Sequence, residues 1–220
     1  MDTYLISLKL ASLIAHPRRF LSEHSWIASS RFSIKKGNQL KSDHTIIRKS
    51  RIFIKGNNNV IELKKADIFN STIHIAGSNN IIRIHDAVRL YNMNITIKKA
   101  QGCSIEIGEA SHLGGGTAVC AGNGNYIHIG KNCMIAEDAE IWSSDTHFIT
   151  INGEDLTNSK PILIKDHVWL GKGVTVLKGV TIGDNAIVGM KSLVSHDIRP
   201  GTVNAGIPTR EIQDNANWHR

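Results

Sequence analysis

The segment Ser143-Ser144-Asp145-Thr146-His147-Phe148-Ile149 sets a carboxylate and an imidazole two positions apart. An imidazole titrates near neutrality, so His147 can take the proton of a hydroxyl as that oxygen attacks an electrophile. Residues two apart in extended chain point the same way, which would let Asp145 accept the second ring N–H and hold the tautomer. The hydroxyls of Ser143 and Ser144 are expected to satisfy loop backbone. Other chemistries find little support. His112, His128, His167 and His196 lack metal-ligand spacing, so no metal is expected. Gly114–Gly116 is not followed by the Lys-Ser/Thr of a phosphate-binding loop. The cysteines, Cys103, Cys120 and Cys133, are odd in number and form no CxxC pair, which argues against a disulfide framework and for a reducing, cytoplasmic setting.

The elements that must carry these groups show a six-residue period. Ile164, Leu170, Val176, Ile182, Val188 and Val194 are all aliphatic, and Val168, Val174, Val180, Ala186 and Ser192 form a second small or aliphatic row. Period six fits neither a helix nor a long strand. Short strands joined by tight corners produce it, which defines a β-solenoid. The period runs backward through Ile141, Ile135 and Ile129 but breaks between Ile141 and Ile164, so a loop over 142–161, holding His147, projects from the coil. Cys133 falls in an inward row and is expected to be packed rather than nucleophilic.

Upstream the repeat lengthens. Segments 51–63, 72–84, 95–107 and 117–129 are variants of one theme, ending at Leu63, Ile84, Ile107 and Ile129. Such steps fit solenoid turns of three strands. Asn57, Asn58, Asn59, Asn79, Asn80, Asn123 and Asn125 populate the corners, where Asn tolerates left-handed backbone; they are assigned structure, not chemistry.

With 220 residues, 41% apolar and only 5% aromatic, the chain suits one domain with a narrow core of Ile, Val and Leu. The net charge of +7, concentrated in Arg48, Lys49, Arg51, Lys55, Lys64 and Lys65, favours anionic partners, although a solvated flank is the plainer reading of that cluster. No nucleic-acid-binding signature is present. The N-terminal apolar run is too short to span a bilayer and carries Lys9; Ile6, Leu10, Leu13 and Ile14 fall on one helical face. The expected organisation is a helical cap over 1–30, a solenoid over 31–210 and a tail over 211–220. Peripheral membrane attachment through Arg18 and Arg19 is the alternative role for the cap.

Residues 167–210, HVWLGKGVTVLKGVTIGDNAIVGMKSLVSHDIRPGTVNAGIPTR, resemble the C-terminal body of the hexapeptide-repeat acyltransferases. The SSDTHFI segment resembles the active-site segment of the polysaccharide and sialic-acid O-acetyltransferases in that superfamily. The resemblance is strong over 129–210, loose over 51–128, and does not reach the first fifty residues. It implies a left-handed parallel β-helix of triangular section, an exception to the right-handed rule for parallel crossovers. It further implies a homotrimer with acetyl-CoA between subunits. His147 occupies the catalytic position; Asp145, or a main-chain carbonyl as in some members, would orient it. Gly171, Gly189, Ala205 and Gly206 are carried over as small residues along the pantetheine arm, with Lys191 and Arg210 for the phosphates. The related zinc carbonic anhydrases need a histidine pair five apart, but Lys172 follows His167 at that spacing.

Trp169 lies between inward-facing Val168 and Leu170, so strand alternation points it outward, beside the returning loop. There it would be a wall of the acyl-CoA groove, its indole N–H donating to a developing oxyanion, or it would be subunit packing. The expected activity is acetyl-CoA-dependent O-acetylation of a carbohydrate hydroxyl, the acceptor being a capsular, sialic-acid-containing or other cell-surface polysaccharide. N-acetylation of an amino sugar and a non-catalytic binding solenoid are the alternatives.

Overall fold

The computed structural model describes residues 24–220; the helical face of residues 6–14 lies outside the described residues. From Trp26 onward the chain winds through three parallel sheets in turn. Sheet A has ten strands, beginning with Trp26–Ala28; sheet B has eight, beginning with Arg31–Ile34; sheet C has seven, beginning with Gln39–Asp43. Each strand pairs with its equivalent one coil later, so identical positions stack in register. Leu63, Ile84, Ile107 and Ile129, the ends of the four sequence repeats, form one such column in sheet C and continue into Ile164 and Ile182.

Both hexapeptide rows point inward. Ile164, Leu170, Val176, Ile182, Val188 and Val194 are buried, and so are Val168, Val174, Val180, Ala186 and Ser192. β-Branched side chains suit a narrow prism because their stiff χ1 stacks like on like from coil to coil. The corners take the left-handed backbone that turns the chain, often with Asn, as at Asn58, Asn70, Asn79, Asn92, Asn132 and Asn185. Gly56 is required where it stands: its φ is +94°, and a Cβ there would sit 1.7 Å from the carbonyl oxygen of Gly77 on the next coil.

One corner carries a buried amide ladder. Asn59 donates from its backbone and side chain to Asn38 Oδ1 (3.0 and 2.9 Å), and Asn80 donates likewise to Asn59 Oδ1 (3.0 Å each). The ladder ends where Cys103 N–H donates to Asn80 Oδ1 at 2.8 Å.

The solenoid extends further at both ends than its expected bounds. Its first strand, Trp26–Ala28, pairs with Ile46–Arg48 inside the segment assigned to the cap. At the other end Thr209–Gln213 turns back antiparallel on Val203–Gly206, and the tail then runs down the C-to-A corner. There Trp218 is buried, and Arg220 donates to the carbonyl of Ala110 at 2.7 Å. Among the described residues no helix is long and apolar enough to cross a membrane.

Candidate active site

The strand Ala139–Trp142 of sheet B is followed by the one long excursion among the described residues, 143–161, before sheet C resumes at Ile162–Ile164. Its base is fixed by backbone pairing. Lys160 N–H donates to Ser143 O (3.0 Å) and Asp145 N–H to Asn158 O (2.8 Å). Ser143 and Ser144 are buried: the Ser143 hydroxyl and carbonyl accept from Asn125 Nδ2 (3.0 Å each), and Ser144 Oγ accepts from Thr146 N–H (3.0 Å). Beyond this base the loop closes in a short antiparallel hairpin, Thr150–Ile151 on Glu154–Asp155, with Phe148, Ile149, Ile151 and Leu156 exposed.

His147 lies between the base and this hairpin. Its ring is exposed and has no hydrogen-bond or ion-pair partner among the described residues. No hydrogen bond joins it to Asp145. That carboxylate is held instead by Lys178, which stands at the same corner one coil on and also donates to Thr157 O at 2.8 Å. Lys178 escapes the sequence reading because it is separated from Asp145 by 33 residues and belongs to no row of the repeat.

The small residues carried over for the cofactor come together at the A-to-B corner. Leu170, Val188 and Asn204 are register partners, so the residues that follow them, Gly171, Gly189 and Ala205, form a column. A Cβ on Gly171 would lie 2.7 Å from Met190 N, and one on Gly189 would lie 2.9 Å from Ala205 Cβ. Arg210 pairs with Ala205 across the terminal hairpin. Gly206 N–H donates to Ser192 Oγ at 3.0 Å. Lys191 and Arg210 are exposed, and neither ammonium nor guanidinium has a carboxylate partner among the described residues.

His147 and this strip are not brought together within one chain. The strip stands where strands enter sheet B, and the loop departs where a strand leaves it. Trp169 points outward as expected and is 41% exposed, but its neighbourhood differs from the expected one. The loop re-enters in sheet C, whereas Trp169 is in sheet A, two residues before Gly171 at the edge of the strip. Its neighbour is Trp218, with ring centroids 6.2 Å apart. Trp218 stacks on His167 at 4.2 Å and donates its indole N–H to His167 O at 2.8 Å.

Cys133 is fully buried, and burial pushes its thiol up to about 11, which leaves it no nucleophilic role near neutrality. Among the described residues no group of His, Cys, Asp and Glu gathers in a way that could hold a metal ion.

The bacterial transferase hexapeptide (six repeats) family matches residues 161–196. The polysialic acid O-acetyltransferase of Neisseria meningitidis is 33% identical over 141 residues, 63% of this chain and 64% of that protein. The galactoside O-acetyltransferase of Escherichia coli K12 is 40% identical over 91 residues, 40% of this chain and 44% of that protein. The matched stretch is thus under two thirds of the length of either relative. The crystallographically analysed polysialic acid O-acetyltransferase OatWY superposes with a TM-score of 0.73 at 29% identity, covering 92% of both chains. The repeated coils, the interrupting loop and these likenesses together identify the chain as having the hexapeptide-repeat, left-handed β-helix fold of the acyltransferases, similar along nearly its whole length to a polysialic acid O-acetyltransferase.

Proposed function

We propose that the protein transfers an acetyl group from acetyl-CoA to a carbohydrate hydroxyl, with His147 as general base. The observation that carries this reading is the exposed His147 ring, without a partner among the described residues, on the loop that interrupts an otherwise regular coil. Acetyl-CoA supplies a thioester whose thiolate leaves readily. His147 takes the hydroxyl proton as the acceptor oxygen bonds to the carbonyl carbon; the carbon–sulfur bond breaks, and the imidazolium returns the proton to the thiolate. The chain's other groups bind and orient. The strip of Gly171, Gly189 and Ala205 offers backbone close approach to the pantetheine arm, and Gly206 continues it. Lys191 and Arg210, free of carboxylate partners, suit the phosphates.

Because the strip and the loop stand at opposite ends of the sheet B strands, the site is completed between copies of the chain, in a homotrimer. Trp169, at the edge of the strip, is then a wall of the groove, with an indole N–H free to face the oxyanion. The names of the relatives, enzymes of polysialic acid and of galactosides, support a sugar hydroxyl as acceptor.

The test is thiol release from acetyl-CoA against a panel of sugars, oligosaccharides, polysaccharides and nucleotide sugars, with the product's lability to mild base distinguishing ester from amide. An ester, lost with His147→Ala, is the expected result. Transfer to amines that persists in His147→Ala would point to an N-acetyltransferase, and failure to bind CoA to a non-catalytic solenoid.

A further inference from the structure

The basic cluster of the sequence divides in the structure. Arg48 is held by Asp67 (3.1 Å) and lies over the Phe69 ring, Lys49 also lies over Phe69, and Lys65 pairs with Asp86 (3.2 Å). On sheet C the cations Lys41 and Arg83 both pair with Glu62. Arg48, Lys65, Lys41 and Arg83 thus have carboxylate partners, the last two sharing one, while Lys49 has only the ring and Lys64 no ion pair among the described residues. Arg51 and Lys55 stand together on the sheet B strand Arg51–Asn57, with no carboxylate partner for either among the described residues. None of the four neighbouring sheet B strands, Arg31–Ile34, Arg51–Asn57, Thr72–Ser78 and Met93–Gln101, contains an Asp or Glu.

The two cations border a trough of about 770 Å³ on the outer face of sheet B. Its floor holds Phe53 and His74, ring to ring at 6.4 Å and nearly perpendicular, and its walls hold hydroxyls and amides, including Thr72, Asn94 and Thr96. Burial, with Lys55 second, lowers the pKa of His74, which favours the neutral ring, a donor and acceptor rather than a third cation. An aromatic ring edged by amides, hydroxyls and a few fixed cations is the chemistry that grips a pyranose bearing a carboxylate: ring face on Phe53, hydroxyls on the amides, carboxylate on the guanidinium.

The trough points at the loop. Phe53, His74, Thr96, Val119 and Trp142 are successive register partners along sheet B, and Trp142 directly precedes the loop that bears His147. Phe53 and Trp142 are four strand spacings apart, roughly 19 Å at ~4.8 Å per strand. A chain of sugars laid along this column would run from the unpaired cations toward the loop, over buried Val119 and beside Glu140 of the last strand.

We infer that the sheet B trough bordered by Arg51 and Lys55 is a binding site for a carboxylated polysaccharide, which it holds as a strand along the solenoid. The inference rests on the acetyltransfer reading only in making that polymer the acceptor; binding itself is tested without turnover. Affinity electrophoresis or calorimetry uses the full chain carrying His147→Ala, with polysialic acid and polygalacturonate as probes, carboxyl-reduced polygalacturonate as the uncharged control, and a single-stranded DNA of equal length as the other polyanion. The expected result is saturable binding of at least one carboxylated polymer, weakened about 10-fold or more by Arg51→Ala with Lys55→Ala and restored by Arg51→Lys with Lys55→Arg. Both cations are exposed, so an unchanged melting temperature and oligomeric state checks that only the surface has altered. No binding of either polymer, equal binding by the double alanine variant or the reduced polymer, or preference for DNA overturns the assignment. Absence of acetyltransfer by the unsubstituted chain, with polymer binding intact, would count against the acetyltransfer reading alone.

Discussion

Lys178 forms an ion pair with Asp145 and donates to the carbonyl of Thr157, so one ammonium ties the outgoing and returning limbs of the loop. Asp145 in this arrangement holds the start of the loop, and on the proposed mechanism it would act on His147 only through the backbone between them. Lys178→Met and Asp145→Asn are therefore each expected to lower turnover by roughly 10-fold, ~1.4 kcal/mol of transition-state stabilisation, and to speed amide exchange over 145–157. Stability should change little, because partly exposed ion pairs contribute about 0–1 kcal/mol. The double variant should be no worse than either single one. If Asp145→Asn alone costs far more than Lys178→Met, the carboxylate acts directly on the imidazole.

A site completed between copies can be tested by complementation. His147→Ala should lower turnover by ~100-fold or more with fold and CoA affinity intact, since the side chain is exposed and has no hydrogen-bond or ion-pair partner among the described residues. Lys191→Glu with Arg210→Glu should instead raise the KM for acetyl-CoA. Mixing the two kinds of subunit and reassembling them should restore activity that neither has alone. Light scattering that shows a fully active monomer, or mixtures that stay inactive, would place the whole site in one chain.

All three cysteines are buried, and burial raises Cys133 from 9.0 to about 11. None should react with a disulfide reagent at pH 8 in the native protein, and three should react after denaturation. The stability contributed by Cys133 is complete below pH 9.0, where the unfolded thiol is also protonated, and is lost as pH rises through about 11. Rapid native labelling that also abolished activity would reopen a covalent route through cysteine.

What was legible in the sequence was whatever repeats. Ile164 through Val194 reads as a coil because each inward side chain must match the one below it, and the loop reads as the place where that match fails. Asn59 and Asn80 read as corner residues for their backbone preference, but not as a hydrogen-bonded ladder, since spacing says nothing about which side an amide faces. Arg51 and Lys55 were legible as part of a basic cluster, but Lys178, Trp218 and the trough that joins those two cations to His74 were hidden for one reason. Outward side chains obey no periodic constraint, and their partners come from other coils or from the tail.

The ladder gives the most direct stability test. Asn59 is fully buried; the two N–H groups of its amide are shared among Asn38 Oδ1 (2.9 Å), Gly77 O (2.9 Å) and Lys55 O (3.2 Å), and its Oδ1 accepts from Asn80. Asn59→Ala strands several of these groups without water, at a cost of ~3 kcal/mol, or a melting-temperature drop of about 6–12 °C. Asn59→Asp should be worse, because it keeps the acceptor, loses the donors and buries a charge. A loss under about 1 kcal/mol, the net worth of one ordinary hydrogen bond, would mean that water enters the corner and replaces the amide.

Trp169 separates catalytic from packing roles at the edge of the strip. It projects from sheet A with its indole N–H unpaired among the described residues, while its neighbour Trp218 uses the equivalent group to hold the tail against His167. The two indoles are tilted at 48° with centroids 6.2 Å apart, a contact that ring area alone sustains. Trp169→Phe preserves that contact and removes only the donor. If the N–H faces the oxyanion, Trp169→Phe should lower turnover by ~100-fold, the scale of losing one such donor, with KM for acetyl-CoA and the oligomeric state unchanged. Trp169→Ala should add a loss of packing, visible as a lower melting temperature. A fully active Trp169→Phe beside a Trp169→Ala that dissociates the assembly would make the residue an interface anchor, and the oxyanion donor would then have to be a backbone N–H of the A-to-B corner.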